Sequence, residues 1–299
     1  MLFRSPGVFR LKIGKRLVQH HQPGAQAIQI AGQAGQRRVV HEVGANHFRQ
    51  RRNEIARLAL AYRDVGPVPR IAYTPEEHVT WRTVWSELGP LHETYASANY
   101  LDASRTVRLD REEVPQLEDV NVTLRRETGF SMRPVAGLVG DRTFLGYLAA
   151  ETFLATQYMR HPSRPLYTPE PDVVHELVGH APTFCEPGFV KLNRAFGKAA
   201  ERVDADTLAK VARLYWYTLE FGVCREKGKA KAYGAGLLSS FGELSGFEQR
   251  AELRPFDPEE IAQTSYDPTG YQRVLFVAPS FDEAAERVCA WLAALPVAR

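Results

Sequence analysis

Cysteines are few and long apolar runs are missing, and both absences restrict what the protein can be. The 299 residues include three cysteines, Cys185, Cys224 and Cys289, which form no CxxC pair. A reduced cytosolic compartment is therefore favoured. No uninterrupted apolar stretch approaches the ~18 residues of a membrane-spanning helix. The first part of the chain lacks the apolar segment of a secretory signal. We expect a cytoplasmic protein without a membrane partner.

Acidic residues are almost absent from the beginning of the chain. Residues 1–52 contain ten Lys or Arg and one acid, Glu42, whereas the rest holds 28 bases and 34 acids. A basic segment can contact nucleic acid or acidic lipid. The stretch HHQPGAQAIQIAGQAGQRRVV within this segment also lacks a clear helical or strand period and is rich in Gln, Gly and Ala. We therefore expect a poorly ordered leader over residues 1–50 and no nucleic acid partner.

The remaining sequence, residues 51–299, predicts one mainly α domain with a few short strands. Its periodicity and its Gly and Pro punctuation carry this prediction. Helices are expected at RRNEIARLALAYR, TPEEHVTWRTVWSELGPLHETYASANYL, VPQLEDVNVTLRRETG, LGYLAAETFLATQYM, DADTLAKVARLYWYTLEFGVC and DEAAERVCAWLAAL. FSMRPVAGLVGDRTF is expected to be a loop or short strand, AYGAGLLSSFGEL a loop, and GYQRVLFVAPSF to contain a strand. No internal repeat or second linker interrupts this domain.

Two histidines enclose a glutamate in HELVGH, residues 175–180. In the zinc hydrolase motif HExxH the histidines are four residues apart and share one helical face. His175 and His180 are five apart, which is about 140° around an α-helix. We expect the helix to end near Gly179, before Pro182, so that His180 turns back toward His175. Such a pair alone is more often structural than metal-binding, so a metal site needs a third ligand.

Glu220 is the best candidate for that third ligand. It lies in YWYTLEFG among aromatic and apolar residues, where an unpaired carboxylate is costly to bury. Two histidines and one carboxylate with open positions form the facial triad of non-haem Fe(II) oxygenases. Other interpretations stay open at this point. Glu220 could pair with an arginine, Cys185 could be a thiolate ligand or a small core residue, and Glu176 could be the general base of a zinc hydrolase.

Seven segments, in order, resemble the catalytic domain of the pterin-dependent aromatic amino acid hydroxylases. They are PQLEDV, TGFSMRPVAGL, FLGYLA, TQYMRH, YTPEPDVVHELVGHAP, YWYTLEFGVC and KAYGAGLLSSFGEL. The resemblance covers roughly residues 51–296 and implies the mainly α catalytic domain of that family. It implies ring hydroxylation of a free aromatic amino acid with Fe(II), a tetrahydropterin (tetrahydrobiopterin or a bacterial relative) and O2. The implied iron ligands are His175, His180 and Glu220.

The resemblance also implies residues that bind the cofactor and the substrate. The pterin would contact Gly137, Val139, Asp141, Phe144, Glu176, Ala212 and Tyr215, with Phe144 stacking on its ring. The amino acid would contact Arg160, Thr168, Pro171, Trp216, Gly236 and Ser239, with the planar fork of Arg160 holding its carboxylate. Asp172 is expected to cap the HELVGH helix and to steady the ligand loop.

Phenylalanine, converted to tyrosine, is the expected substrate, and tryptophan 5-hydroxylation is the nearest alternative. Trp216 resembles the phenylalanine and tyrosine enzymes, whereas tryptophan enzymes tend to have Phe there. Tyrosine hydroxylases favour an aspartate before YQRVLFV, where this chain has Pro268 with Asp267 adjacent. We expect neither the regulatory domain nor the tetramerising helix of animal relatives, and hence a monomer or weak dimer. The alternatives from other classes are a zinc hydrolase, active without O2 or pterin, and a catalytically silent binding protein.

Overall fold

A computed structural model describes residues 47–268 and 270–298 of the chain. Most of the predicted leader, residues 1–46, lies outside this range. Residues 47–50 are already helical and belong to the first helix, residues 47–61. That helix therefore begins before residue 51, where the domain was expected to start.

Helices form most of the described chain, as the sequence predicts. They are α1 (residues 47–61), α2 (Pro75–Tyr95), α3 (Ala98–Val107), α4 (Leu117–Thr128), α5 (Asp141–Ala149), α6 (Pro187–Arg202), α7 (Ala205–Tyr215), α8 (Ala235–Leu238), α9 (Phe241–Leu244), α10 (Phe247–Arg250), α11 (Pro258–Gln263) and α12 (Phe281–Ala293). Two π-helices, π1 (His175–His180) and π2 (Trp216–Glu220), and a 3-10 helix, Ala181–Cys185, accompany them. Within the described ranges, no helix has the length and apolarity needed to cross a membrane.

Helix α2 begins where its sequence signals a start. Thr74 Oγ1 accepts a hydrogen bond from Glu77 N at 3.2 Å, and Glu77 Oε2 accepts one from Thr74 N at 2.7 Å. This reciprocal capping box satisfies backbone donors that a helix start leaves open. Pro75 fits the first helical position because its missing N–H is not needed there. The inner face then buries Trp81 and anchors α2 in the core.

The strands form two small sheets, which confirms the prediction of a few short strands. Strands β1 (Ser131–Pro134) and β2 (Thr152–Ala155) pair in parallel. A second sheet has the order β4-β3-β6-β5, with β3 (Val223–Glu226), β4 (Lys229–Ala232), β5 (Glu252–Pro255) and β6 (Val274–Ala278). β3 and β4 form an antiparallel hairpin, and β6 pairs in parallel with β3 and β5. The hairpin turn uses positive φ at Lys227 and Gly228, as tight hairpins require.

Four local predictions were wrong. TPEEHVTWRTVWSELGPLHETYASANYL is not one helix, because the backbone is extended at Ala96 and Ser97 between α2 and α3. LGYLAAETFLATQYM is not one helix, because α5 ends at Ala149, Glu151 takes a φ of 57°, and β2 pairs with β1. Long-range strand pairing overrides the local helical period there. AYGAGLLSSFGEL is not a loop but forms the short helices α8 and α9. The predicted helix DADTLAKVARLYWYTLEFGVC is α-helical only to Tyr215, and then continues as π2 and β3.

The core places the two π-helices at the centre of the molecule. Every residue of π1 and of π2 is buried. Helices α5 and α6 approach closely nearby, because a Cβ at Gly197 would lie 2.1 Å from Ala149 N. Because π1 and π2 are buried helices, their side chains are held by the packed core and not by surface loops.

Candidate metal centre

The winding of π1 explains the five-residue spacing of the histidines. In a π-helix each hydrogen bond spans five residues, so residues five apart lie on one face. Ala181 N accordingly donates to Glu176 O. The expectation that the helix ends near Gly179 was wrong, because π1 continues through His180 into the 3-10 helix. Gly179 serves close packing instead, since a Cβ there would lie 2.7 Å from Ala235 O of α8.

His175, His180 and Glu220 meet in one buried group, as predicted. The two Nε2 atoms are 3.1 Å apart. Glu220 Oε1 lies 3.2 Å from His180 Nε2, and Oε2 lies 3.5 Å from His175 Nε2. Around a metal with bonds of ~2.1 Å, ligand atoms are ~3.0 Å apart at right angles and ~3.4 Å apart in a tetrahedron. Among the described residues, Glu220 Oε2 has no hydrogen-bond partner. Donor types and spacing therefore fit a divalent metal ion.

The protonation states also suit a metal. Burial lowers the pKa of His175 well below its ordinary value, so its imidazole is uncharged at neutral pH. Burial alone would raise the pKa of Glu220, but the contact with His180 outweighs burial and holds that pKa below its ordinary range. An uncharged imidazole and an ionised carboxylate are the forms that bind metal.

Ser239 fixes the tautomer of His175. Ser239 Oγ donates to Ala235 O at 2.7 Å and lies 2.9 Å from His175 Nδ1. Since the hydroxyl proton is engaged by the carbonyl, Nδ1 is the donor of the second bond. The lone pair of Nε2 is then free to face the other two ligands. Ser239, predicted as a substrate residue, thus orients a metal ligand.

We expect Ser239→Ala to lower the affinity for Co(II) by about 10- to 100-fold. His175 loses the acceptor that selects its tautomer and holds its ring. Titration of the metal-free protein with Co(II), followed by visible absorption, measures the change. Ser240→Ala removes a neighbouring hydroxyl without a bond to a ligand and is the matched control. Equal affinities in wild type and Ser239→Ala would show that this contact does not position His175.

A buried ion pair anchors the beginning of π1. Arg160 Nε and Nη2 donate to Asp172 Oδ2 and Oδ1 at 3.0 and 2.8 Å. Asp172 Oδ2 also accepts from Arg160 N at 2.7 Å, and Oδ1 accepts from His175 N at 3.3 Å. The predicted capping by Asp172 is confirmed. One carboxylate therefore positions both the predicted substrate arginine and the first histidine.

A cavity of about 350 Å³ opens beside the three potential ligands. His175 and Glu220 line it together with all six predicted substrate residues, Arg160, Thr168, Pro171, Trp216, Gly236 and Ser239. Pro268, which the sequence analysis singled out for substrate choice, lines it too. Further lining residues were not predicted, among them Tyr167, Glu243, Gly270 and Tyr271. Tyr167 stands inside the recognised YTPEP segment, so the motif itself could have indicated it. Glu243 and Tyr271 reach the cavity only through the packing of α9 and the segment before β6.

Gln272 forms hydrogen bonds with several residues in one wall of this cavity. Its side-chain Oε1 accepts from Trp216 Nε1 at 2.9 Å, and its Nε2 donates to Asp267 O and Gly270 O at 3.1 and 3.2 Å. Its backbone N donates to Glu243 Oε1 at 2.7 Å. Trp216, Asp267 and Gly270 therefore share one hydrogen-bonded support. No signal in the sequence singled out Gln272.

Glu243 should make stability depend on pH. Burial raises its pKa to about 7, above the ordinary value of 4.5. The folded protein thus keeps this proton after the unfolded chain releases it, and the stabilisation present below pH ~4.5 is lost as pH rises through ~7. We expect Glu243→Gln to reduce the loss of unfolding free energy between pH 5 and pH 8 by up to ~3 kcal/mol. Urea denaturation at both pH values measures it, with the exposed Glu248→Gln as control. An unaltered pH slope in Glu243→Gln would contradict the buried protonated carboxyl.

The seven residues predicted to bind pterin lie outside the lining of this cavity: Gly137, Val139, Asp141, Phe144, Glu176, Ala212 and Tyr215. Phe144 is fully buried, edge-on to Phe153 and Tyr215 at 5.5 and 5.4 Å between ring centroids. Because the ring is fully buried, neither of its faces is open to a pterin in this structure. Phe153 in turn lies 4.4 Å from the His180 ring, so Phe144 is one ring away from the triad.

The surroundings of Glu176 do not suit the general base of a hydrolase. Its Oε1 accepts from Thr156 N and Oγ1 at 3.0 and 2.9 Å, and no described residue hydrogen-bonds its Oε2. Burial raises its pKa to about 8. It does not line the cavity that His175 and Glu220 share. Cys185 lies outside the triad, and burial raises its pKa to about 12, so a thiolate ligand is not favoured.

A sequence profile of the biopterin-dependent aromatic amino acid hydroxylases matches residues 37–298. The chain belongs to this family. Its mainly α fold is thus that of a hydroxylase-family catalytic domain, as the sequence resemblance predicts. Membership does not favour the zinc hydrolase alternative.

Relatives within the hydroxylase family act on different substrates. Human tyrosine 3-monooxygenase is 44% identical over 246 residues, which are 81% of this chain and 47% of the human protein. Mouse phenylalanine-4-hydroxylase is 43% identical over 256 residues, 83% of this chain and 56% of the mouse protein. The chain spans about half the length of these curated relatives. Family membership therefore leaves the choice between phenylalanine and tyrosine open.

The hydroxylase fold is also found in solved bacterial structures. Phenylalanine hydroxylase of Chromobacterium violaceum, with bound iron(III) and 7,8-dihydrobiopterin, has a TM-score of 0.70 and 33% identity over 74% of this chain and 82% of that one. The cold-active enzyme of Colwellia psychrerythraea has a TM-score of 0.69 at 25% identity, over 76% of this chain and 92% of that one. These likenesses cover the mainly α domain described above.

Proposed function

We propose that this chain is an Fe(II)- and tetrahydropterin-dependent monooxygenase that converts free L-phenylalanine to L-tyrosine with O2. One observation carries the proposal. His175 and Glu220 of the three potential ligands and the buried Arg160 line one cavity of about 350 Å³, which is large enough for an amino acid. A metal-binding triad beside a buried guanidinium suits a small carboxylate substrate. The bound iron and pterin found in the Chromobacterium relative support the choice of cofactors.

Each part of the site has a defined task in this proposal. His175, His180 and Glu220 would hold the iron, which together with the pterin supplies electrons to O2. Arg160, fixed by Asp172, would bind the substrate carboxylate and so orient the ring. Trp216 and Pro171 would form walls for the ring and exclude water from the reacting atoms. The seven predicted pterin residues, Phe144 and Glu176 included, stay part of the proposal.

The cavity lining favours phenylalanine over tyrosine. Pro268 lines the cavity and Asp267 does not. A carboxylate in the ring slot would suit a substrate hydroxyl, whereas proline offers an apolar surface to an unsubstituted ring. Trp216 argues against tryptophan as substrate, because its indole already fills part of the wall. Tryptophan 5-hydroxylation is the second candidate within the same chemistry.

Product identification with each amino acid alone tests the substrate. The protein is loaded with Fe(II), supplied with tetrahydropterin and O2, and given L-phenylalanine, L-tyrosine or L-tryptophan in turn. We expect tyrosine as the main product and the highest kcat/KM with phenylalanine. A higher kcat/KM for tyrosine or tryptophan would contradict the assignment of the substrate. Sedimentation of the same preparation tests the predicted monomer.

A further inference from the structure

A second cavity, of about 510 Å³, lies between α2, α3 and the residues that follow α3. The half-buried Trp85 and the buried His92 and Tyr100 line its inner part, and the exposed Arg105, Arg108 and Arg111 line its mouth. No residue that lines it also lines the cavity beside the triad. Glu93 is the one acidic residue in its lining. The cavity is thus separate from the metal site and positively charged.

The indole N–H of Trp85 has no hydrogen-bond acceptor among the described residues. Its Nε1 is buried. The other three indoles are bonded, Trp81 to Asp110 O at 2.9 Å, Trp216 to Gln272 Oε1 at 2.9 Å, and Trp291 to Glu259 Oε2 at 2.8 Å. A buried donor left without a partner is unfavourable, because it has lost its hydrogen bond to water and gained none in return. An acceptor in the cavity would remove this cost.

Arg111 adds a cation without a counter-ion. Its guanidinium lies 5.0 Å above the Trp85 ring, and it makes no hydrogen bond or ion pair with any residue in the described ranges. By contrast, Arg105 is paired with Asp102, and Arg108 Nε donates to Arg105 O at 3.1 Å. The pKa of His92 falls to about 4, mainly through burial and in part through Arg111, so this inner imidazole adds no charge. Among the described residues, Arg111 and Trp85 thus bring an unpaired cation and an unpaired buried N–H to the lining of one cavity.

We propose that this cavity binds a small organic anion with a flat apolar body, the class to which aromatic carboxylates belong. Arg111 and Trp85 Nε1 would hold the anionic group through charge-assisted hydrogen bonds. The apolar body would lie against Tyr100 and the leucines Leu101 and Leu109, which also line the cavity. The volume is within the usual range of small-molecule sites. This site does not depend on the function proposed for the metal centre.

The indole N–H signals of the protein can report on this site directly. Benzoate is titrated into the full chain while the four indole signals are followed by nitrogen-15 NMR, and Trp85→Phe identifies the Trp85 signal. We expect the Trp85 signal to move and saturate while the Trp216 signal, in the other cavity, stays in place. Arg111→Gln should weaken this binding at least ~10-fold, since a hydrogen bond to a charged group contributes ~1.5–3 kcal/mol. Arg57→Gln, an exposed arginine on α1, is the matched control and should bind as wild type does.

Two companion ligands separate charge from shape. Benzamide, which is flat but uncharged, and inorganic phosphate, which is charged but has no apolar body, should both bind more weakly than benzoate. Equal binding of benzamide would show that charge is not recognised, and equal or tighter binding of phosphate would show that the apolar body is not. A Trp85 signal that never moves, or benzoate binding unaffected by Arg111→Gln in a protein with unchanged remaining indole signals, would overturn the proposal.

Discussion

Glu220→Gln should lower metal affinity by at least ~100-fold. Loss of a residue that only hydrogen-bonds a metal ligand already lowers metal affinity about 10- to 100-fold, and Glu220 is itself a proposed ligand. Glutamine keeps the shape of the side chain and removes the only anionic donor of the triad. The metal-free fold should survive the change, since glutamine relieves π2 of a buried charge whose Oε2 has no hydrogen-bond partner in the described part of the chain. Loss of metal without loss of fold is therefore the expected signature.

Co(II) titration and thermal denaturation of the metal-free proteins separate these two effects. Glu176→Gln is the matched control, because it changes a buried carboxyl of π1 that lies outside the triad. The control should keep its metal affinity within a few-fold. If Glu220→Gln bound Co(II) as tightly as the wild type does, Glu220 would not be a metal ligand.

The second large effect is expected from Arg160→Met. Asp172 is completely buried, so loss of its partner leaves an uncompensated charge at the beginning of π1. Breaking such a pair costs about 3–5 kcal/mol. His175 N also donates to Asp172, so we expect weaker metal binding in the same variant. Urea denaturation of the metal-free protein measures the loss of unfolding free energy.

A double-mutant cycle checks that the ion pair is the cause. Arg160→Met combined with Asp172→Asn should regain much of the stability lost in Arg160→Met, because the unpaired charge is gone. The exposed pair of Arg70 and Asp119, 2.7 Å apart, is the control, and Arg70→Met should leave the stability nearly unchanged, because exposed ion pairs contribute little. A cost for Arg160→Met as small as that for Arg70→Met would contradict the anchoring role of the buried pair.

The sequence predicted the chemistry of the site better than its geometry. Residue types alone indicated His175, His180 and Glu220, and the structure brings the three together. The reason for their convergence was wrong, because hydrophobic periodicity cannot distinguish an α-turn from a π-turn. Gly179 illustrates the same limit, since its role in packing against α8 depends on a contact 56 residues away in sequence.

Long-range contacts explain most of what the sequence did not predict. The local sequence of β2 predicts a helix, because the pairing of β2 with β1 leaves no signal in the residues around it. Gln272 and Glu243 were missed because their bonds to each other and to Trp216 join segments far apart in the chain. Arg160, in contrast, was recognised from a motif, and the resemblance also placed Asp172 near the ligands. Of the leader predicted over residues 1–50, residues 1–46 lie outside the described residues, and there the leader stays a prediction.

Isotope labelling of the product tests the central proposal most directly. The Fe(II)-loaded protein is mixed with tetrahydropterin, L-phenylalanine and ¹⁸O₂ in ordinary water, and the product is analysed by mass spectrometry. We predict tyrosine that carries one ¹⁸O atom, formed only when iron, pterin and O2 are all present. Absence of any hydroxylated aromatic amino acid, or a product whose new oxygen comes from water, would contradict the assignment as a pterin-dependent monooxygenase.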